Sequence, residues 1–226
     1  MTVWQISAWR LFLAGGPVMW PILLCSVLAV AIILERLMYF AAMASDTHQL
    51  KQKVFDALKA NNIKEALSLC EADRSLLARI LKAGVIKFGA SLDEIKESIE
   101  NASLSEIPKL ERKLGALATI AHITPLLGLL GTVIGIAGSF YTIQTRSASL
   151  YSLTPADLAG GIWEALLTTI AGLLVAIPAF IAYNYLVSRV NIFVLELERG
   201  ATELISLLAQ LSESKTLRKG SYKGEI

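Results

Sequence analysis

One acidic residue stands alone inside a long apolar stretch. Glu164 is the only Asp, Glu, Lys or Arg between residues 158 and 188. An ionised group at mid-bilayer costs from ~2.5 to ~10 kcal/mol or more, so intramembrane acids usually face a cavity or a partner and mark ion or proton paths. Thr168 lies one helical turn further on and shares the face of Glu164, and Gly161 and Gly172 continue that stripe. Thr169 lies about 140° away around the helix from Glu164. A rival reading stands beside this one. Twenty residues counted back from Ile181 reach only Ile162, so Glu164 could instead snorkel to the outer surface.

A second apolar stretch carries Thr124, Gly128, Gly131, Thr132, Gly135 and Ser139. Spacings of mostly three and four place these small or hydroxyl-bearing residues along one helical face. Small faces let helices approach closely in lipid, and Gly131 with Gly135 forms a GxxxG pair. Helix packing is therefore expected at Gly128, Gly131, Gly135 and Gly172, and Pro178 should kink its helix where a backbone bond is lost. The glycines lack the GxGxxG pattern and follow no strand, which argues against a nucleotide loop.

Other candidate groups read as structural. His122 sits early in the second stretch as an interfacial or hydrogen-bonded residue, and His48 reads as solvated. Glu35-Arg36 reads as a membrane-boundary anchor. Cys25 and Cys70 fall in different settings and do not predict a disulfide. No CxxC or HExxH occurs, so neither a metal nor another cofactor is expected. No GxSxG turn with a histidine and no paired aspartates point to hydrolysis, so the chain is not expected to be an enzyme.

These residues must be held by membrane-spanning helices. Of 226 residues, 54% are apolar and 18% charged, and the mean hydropathy is +0.57. A soluble domain has ~25% charged residues. The net charge of +2 gives no footprint for nucleic acid. Residues 11–34, 114–145 and 165–188 contain no Asp, Glu, Lys or Arg. Each exceeds the ~20 residues that cross a bilayer core. The N-terminus lacks a basic region and a small-residue cleavage site and does not read as a signal peptide.

The expected fold class is all-α: a polytopic membrane protein with three transmembrane helices, a long helical cytoplasmic loop and a C-terminal helix. Residues 1–16 form a periplasmic N-terminus with an interfacial helix, and 17–38 form transmembrane helix 1. Residues 39–113 form a cytoplasmic helical domain. Transmembrane helix 2 covers 114–143, a periplasmic loop 144–157, and transmembrane helix 3 covers 158–187. A cytoplasmic helix follows at 188–212, and 213–226 read as a disordered tail. Residues 41–113 carry twelve Lys/Arg and 188–226 carry six, against Arg10 alone in the first sixteen and Arg146 alone in 144–157. The positive-inside rule then places the C-terminus and the long loop in the cytoplasm and the N-terminus outside. Trp4, Trp9 and Trp20 suit an outer aromatic belt, and Tyr183 and Tyr185 an inner one.

The long loop shows helical signals and no strand pattern. Gly89 reads as a stop, and Ser91 with Glu94 as a capping box. Pro108 should kink or break the helix that runs towards span two. Past span three, Val190, Val194, Leu197, Ala201, Leu204, Leu208 and Leu211 recur at alternating four and three. That heptad seam can pack against the chain's own 41–113 loop, bundle between subunits, or do both.

The sequence also carries a family resemblance. Gly16-Pro-Val-Met-Trp-Pro-Ile-Leu and Leu34-Glu-Arg-Leu37 look like the start of ExbB-type proteins. Thr124-Pro-Leu-Leu-Gly-Leu-Leu-Gly-Thr-Val-Ile-Gly135 resembles the span-two signature of the MotA/TolQ/ExbB proton-channel family. Ile162-Trp-Glu-Ala-Leu-Leu-Thr-Thr-Ile-Ala-Gly172, with Ala176-Ile-Pro178 and Tyr183-Asn184, resembles its third-span signature. The resemblance covers the whole chain and is closest to ExbB, with TolQ as the alternative. It implies a homopentamer in the bacterial inner membrane, among membrane lipids. The pore would hold a dimer of single-span ExbD-like or TolR-like partners, which bring an aspartate. It implies a TonB-like client that spans the periplasm. It implies pore-facing roles for Thr132, Glu164 and Thr169, whereas helical spacing favours Thr168 as the neighbour of Glu164. The expected activity is proton conduction that drives movement. A scaffold that positions partners without conducting is the rival.

Overall fold

The computed structural model describes residues 8–43, 47–73, 75–147 and 155–221. Eight α-helices follow among them: α1 (Ala8–Ala14), α2 (Met19–Met43), α3 (Thr47–Lys59), α4 (Ile63–Ala72), α5 (Leu76–Ile86), α6 (Leu92–Glu111), α7 (Leu114–Ser147) and α8 (Pro155–Ser221). The described residues contain no strand. The fold is all-α, with three helical stretches long and apolar enough to cross a membrane: Met19–Ala41, one within Leu92–Arg146 and one within Leu158–Leu211.

The chain divides into two compact units. The first comprises α1, α2 up to Leu37, the chain from Lys113 through α7, and α8 up to Leu186. Its helices begin where proline is tolerated. Pro155 opens α8, and Pro21 lies in the first turn of α2, where the missing N–H would have no intrahelical acceptor. Leu24, Val27, Val30, Leu126, Leu129, Val133, Ile170, Leu174, Ile177 and Ile181 stand exposed on its surface. In water this surface would drive aggregation, and in lipid it is the ordinary outer face of a spanning bundle. Trp9 and Trp20 are exposed, and Phe12 stacks on one at 5.6 Å and meets the other edge-on at 5.2 Å. Trp4 lies outside the described residues.

The second unit comprises α2 from Met38, α3 to α6 with Arg112, and α8 from Val187. Successive helices α3, α4, α5 and α6 pack on one another. Val54, Leu58, Ala66, Leu77, Ile80, Leu81, Val85, Ile95 and Ile99 form its core. The heptad seam of α8 completes it. Val190, Leu197, Ala201, Leu204 and Leu208 are buried. Phe193 stacks on Phe40, Glu203 pairs with Lys51 at 2.8 Å, and Leu204 reaches Gly84 and Gly200 reaches Leu77. Packing against the chain's own loop, one of the readings of the seam, is present within the single chain.

Ser91 caps α6 as the sequence indicates, with Glu94 reaching back to its hydroxyl rather than to its backbone N–H. The Glu94 N–H donates to the Ser91 hydroxyl, that hydroxyl donates to the Glu94 carboxylate at 3.1 Å, and Gly89 holds φ +92. Two outcomes differ from expectation. Helix α6 passes through Pro108 and ends at Glu111. The break comes from Arg112, which is extended at ψ 135, and Lys113, which is left-handed at φ 66. Proline removes one backbone bond, whereas two successive non-helical residues end the ladder outright. Past residue 212 the α8 helix continues to Ser221, because that stretch contains no proline and reaches glycine only at Gly220.

Glu106 is buried and receives Arg79 at 3.0 Å and Lys109 at 2.6 Å, so its charge is answered by two half-exposed cations. Cys70 is buried at 3% exposure. Burial pushes its thiol up from 9.0 to about 11; Lys82 opposes the shift, and Asp73 and Glu71 add to it. The folded state thus holds this proton more tightly than the unfolded chain. The stability involved is intact below pH 9 and is lost as pH rises through about 11. Maleimide labelling of Cys70 at neutral pH is expected to run about 100-fold slower in the native protein than after denaturation. Equal rates would show that this helical unit opens readily.

Candidate functional site

The spanning unit is organised around a seam between α7 and α8. The two helices run antiparallel, so rising positions on one meet falling positions on the other. Ser139 donates to the Leu158 carbonyl at 3.3 Å and sits over Gly161. A Cβ on Gly135 would lie 2.6 Å from the Gly161 carbonyl oxygen. Gly131 receives the Thr168 side chain directly. A Cβ on Gly128 would come within 3.1 Å of the Thr168 carbonyl oxygen and 3.2 Å of the Thr169 Cα. A Cβ on Gly172 would come within 2.9 Å of the Thr124 carbonyl oxygen. Backbones this close leave no room for a side chain, which is what a small-residue face in lipid provides. Of the α7 stripe read from the sequence, Thr124, Gly128, Gly131, Gly135 and Ser139 meet α8 here, whereas Thr132 bonds within its own helix.

The hydroxyls along it are bonded to carbonyls. Thr124 and Thr168 are wholly buried, and donate to the Ile120 carbonyl at 2.6 Å and the Ala165 carbonyl at 2.8 Å. Thr169 is half-buried and donates across the seam to the Gly128 carbonyl at 3.3 Å. Thr132 is half-buried and donates to its own helix at Leu129, at 2.6 Å. Thr168 therefore fills the recess at Gly131, while Thr132 and Thr169 keep some exposed surface. Pro178 lies exposed within α8, which runs through it unbroken.

Glu164 sits one turn from Thr168 and is half-buried. Its carboxylate does not join the seam. It lies against Gly16, in the turn between α1 and α2. Its side chain has no ion-pair partner among the described residues. The sequence singled out Glu164 but not Gly16 as its neighbour, because nothing local to either residue encodes a contact across 148 positions.

Other titratable groups of this unit lie elsewhere. His122 is exposed, with Nδ1 2.6 Å from the Ala118 carbonyl, which makes that nitrogen the donor, and its ring meets Phe180 edge-on at 5.8 Å. Glu35 forms an ion pair with Lys113, and Arg36 is buried. The side chain of His48 lies outside those described. No cluster of His, Cys, Asp and Glu suited to a metal occurs among the described residues. The chemistry available is proton exchange at one carboxyl, beside a tightly packed pair of spanning helices.

These features define a class: a helical membrane subunit with one carboxyl set within an otherwise uncharged span. Residues 72–199 match the MotA/TolQ/ExbB proton channel family, and the chain belongs to that family. It is 35% identical over 175 residues to a putative biopolymer transport protein ExbB-like 3 of Synechocystis, covering 76% of this chain and 81% of the relative. It is 30% identical over 216 residues to the biopolymer transport protein ExbB of Neisseria meningitidis serogroup A, covering 88% and 96%. It is also 45% identical over 87 residues to the Tol-Pal system protein TolQ of Haemophilus influenzae, covering 38% and 36%. Members of this family are channel and transport subunits rather than enzymes.

Proposed function

We propose that this chain is the proton-conducting stator subunit of an ExbB-type complex in the bacterial inner membrane. The observation that carries the reading is Glu164: one half-buried carboxyl in a span otherwise free of charge, beside the α7–α8 seam. Five copies would surround a dimer of single-span ExbD-like partners, with the N-terminus in the periplasm and the C-terminus in the cytoplasm. Thr132 and Thr169 keep exposed surface that suits pore-facing roles, and Thr168 suits the packing that holds the helix bearing Glu164. A proton would bind the Glu164 carboxyl from one side and leave towards a titratable group of the partner. Each unit charge crossing 100 mV releases ~2.3 kcal/mol, so a few protons per step drive a useful movement. That movement would pass to a TonB-like client and energise outer-membrane import.

The TolQ likeness of 45% over 87 residues supports a second reading, in which the partner is TolR-like and the client is the Tol-Pal envelope system. The native mass of the complex, co-expressed with the short single-span protein encoded beside it, tests the architecture common to both. Five copies of this chain with two of the partner is the expected result. A monomer, or an assembly that excludes the partner, would leave a scaffold as the better account.

A further inference from the structure

The turn that opens span one meets the acid of span three. Gly15, Gly16, Pro17 and Val18 join α1 to α2. Both backbone polar groups of Gly16 are engaged: its N–H donates to the Leu13 carbonyl at 3.5 Å, and its carbonyl accepts from Met19 at 3.3 Å. The Pro17 carbonyl accepts from Trp20 at 3.3 Å, and Phe12 is wedged between Trp9 and Trp20. The turn is thus fixed by its own bonds, by proline and by aromatic packing. Gly16 holds φ +70, a conformation that disfavours side chains. The volume that a Cβ would fill there is taken by the Glu164 carboxylate.

We infer that Gly16 is a positioning residue for Glu164: the turn is a fixed stop against which the carboxyl rests, and the stop works only without a side chain. A glutamate nine residues into its helix, about two and a half turns, would otherwise extend its carboxyl along the chain towards the membrane surface. Here the α1–α2 turn occupies that route. Arg10 on α1, which is exposed, is the charged residue nearest in sequence to this turn. The acid is thereby held against the α1–α2 turn, one helical turn from the Thr168 that packs into the seam. The functional part of this inference rests on the proton-pathway reading of Glu164; the contact itself does not.

The test uses the full chain with its co-expressed partner in two measurements. The first is a thermal-denaturation cycle in detergent with Gly16→Ala, Glu164→Ala and both together. Gly16→Ala is expected to lower the midpoint clearly in the native background and much less beside Glu164→Ala, because the obstacle is then gone. Gly15→Ala is the control, since its Cβ would crowd the Met19 side chain and not Glu164. Equal drops in both backgrounds, or none, overturn the inference. If Gly16→Ala alone fails to accumulate, accumulation of the double variant supports the contact, and failure of both overturns it. The second measurement is proton flux in proteoliposomes across pH. Gly16→Ala is expected to cut flux several-fold and displace its pH profile, with Gly15→Ala unchanged. Thermal coupling with flux untouched in both Gly16→Ala and Glu164→Gln would retain the contact and remove the proton-pathway reading. Flux lost in Glu164→Gln but native in rate and profile in Gly16→Ala would retain the pathway and remove the positioning role.

Discussion

Glu164→Gln is expected to reduce proton flux through the reconstituted complex by about 100-fold or more, the range in which a positioned acid–base group contributes. Assembly should survive. Glutamine keeps the length and planarity of the side chain, and it can still lie against Gly16. It cannot bind and release a proton. The substitution therefore separates three roles that alanine would confuse. If Glu164 conducts, Gln and Ala both abolish flux and the energised transport that depends on it. If it serves only helix packing, Gln behaves as the native residue and Ala does not. If the chain is a non-conducting scaffold, client transport persists in both variants. Glu164→Asp adds a graded arm, since it retains the carboxyl but withdraws it by one methylene from Gly16. Partial flux is expected there, because the proton site survives at a displaced position. Native flux in Glu164→Gln would end the proposal.

Several parts of this architecture were legible before any coordinates, for identifiable physical reasons. The three spans follow from uncharged runs longer than a bilayer core, a signal carried by composition alone. The Ser91–Glu94 box and the Gly89 stop are encoded within a few residues, so local chemistry sufficed. The seam from Val190 to Leu208 was visible as a period, but a period does not name its partner. Burial of Leu197, Leu204 and Leu208, with Gly200 on Leu77, identifies the chain's own helices between spans one and two as what covers it. The threonine pair was less legible. Spacing placed Thr168 on the face of Glu164, and the two residues do share it, yet their side chains part company. The recess at Gly131 accepts the short Thr168 side chain, and the longer Glu164 reaches past it to Gly16. Which way each side chain goes depends on voids in neighbouring helices that a helical wheel does not contain. Lys113 was illegible for another reason. A left-handed lysine breaks the usual preference, and proline at 108 offered the more familiar signal.

The glycine seam carries the other large effect, and it is open to a test in which side-chain and backbone obstacles behave differently. Gly128→Leu and Gly172→Leu are expected to prevent accumulation of the folded protein or to lower its thermal midpoint severely. At both positions the atoms in the way include backbone: the Thr168 carbonyl and Thr169 Cα at one, the Thr124 carbonyl and the Gly128 Cα and N at the other. Trimming a neighbouring side chain cannot relieve them. Overpacking a well-packed site costs about 1–3 kcal/mol and occasionally more. In lipid no hydrophobic gain between helices offsets it, since tails are as apolar as leucine. Gly131 differs. The obstacle there is the Thr168 side chain, including its Cβ. Gly131→Ala should therefore destabilise on its own and be largely rescued by Thr168→Gly, which moves the small residue to the facing helix. Rescue at Gly131, with none at Gly128 or Gly172 from the same change, is the pattern this register requires. A native midpoint for Gly172→Leu would show that α7 and α8 are not in contact at that level. The hydrogen bond from Thr169 would then fall with it, because its hydroxyl reaches the Gly128 carbonyl only while the two backbones stay this close.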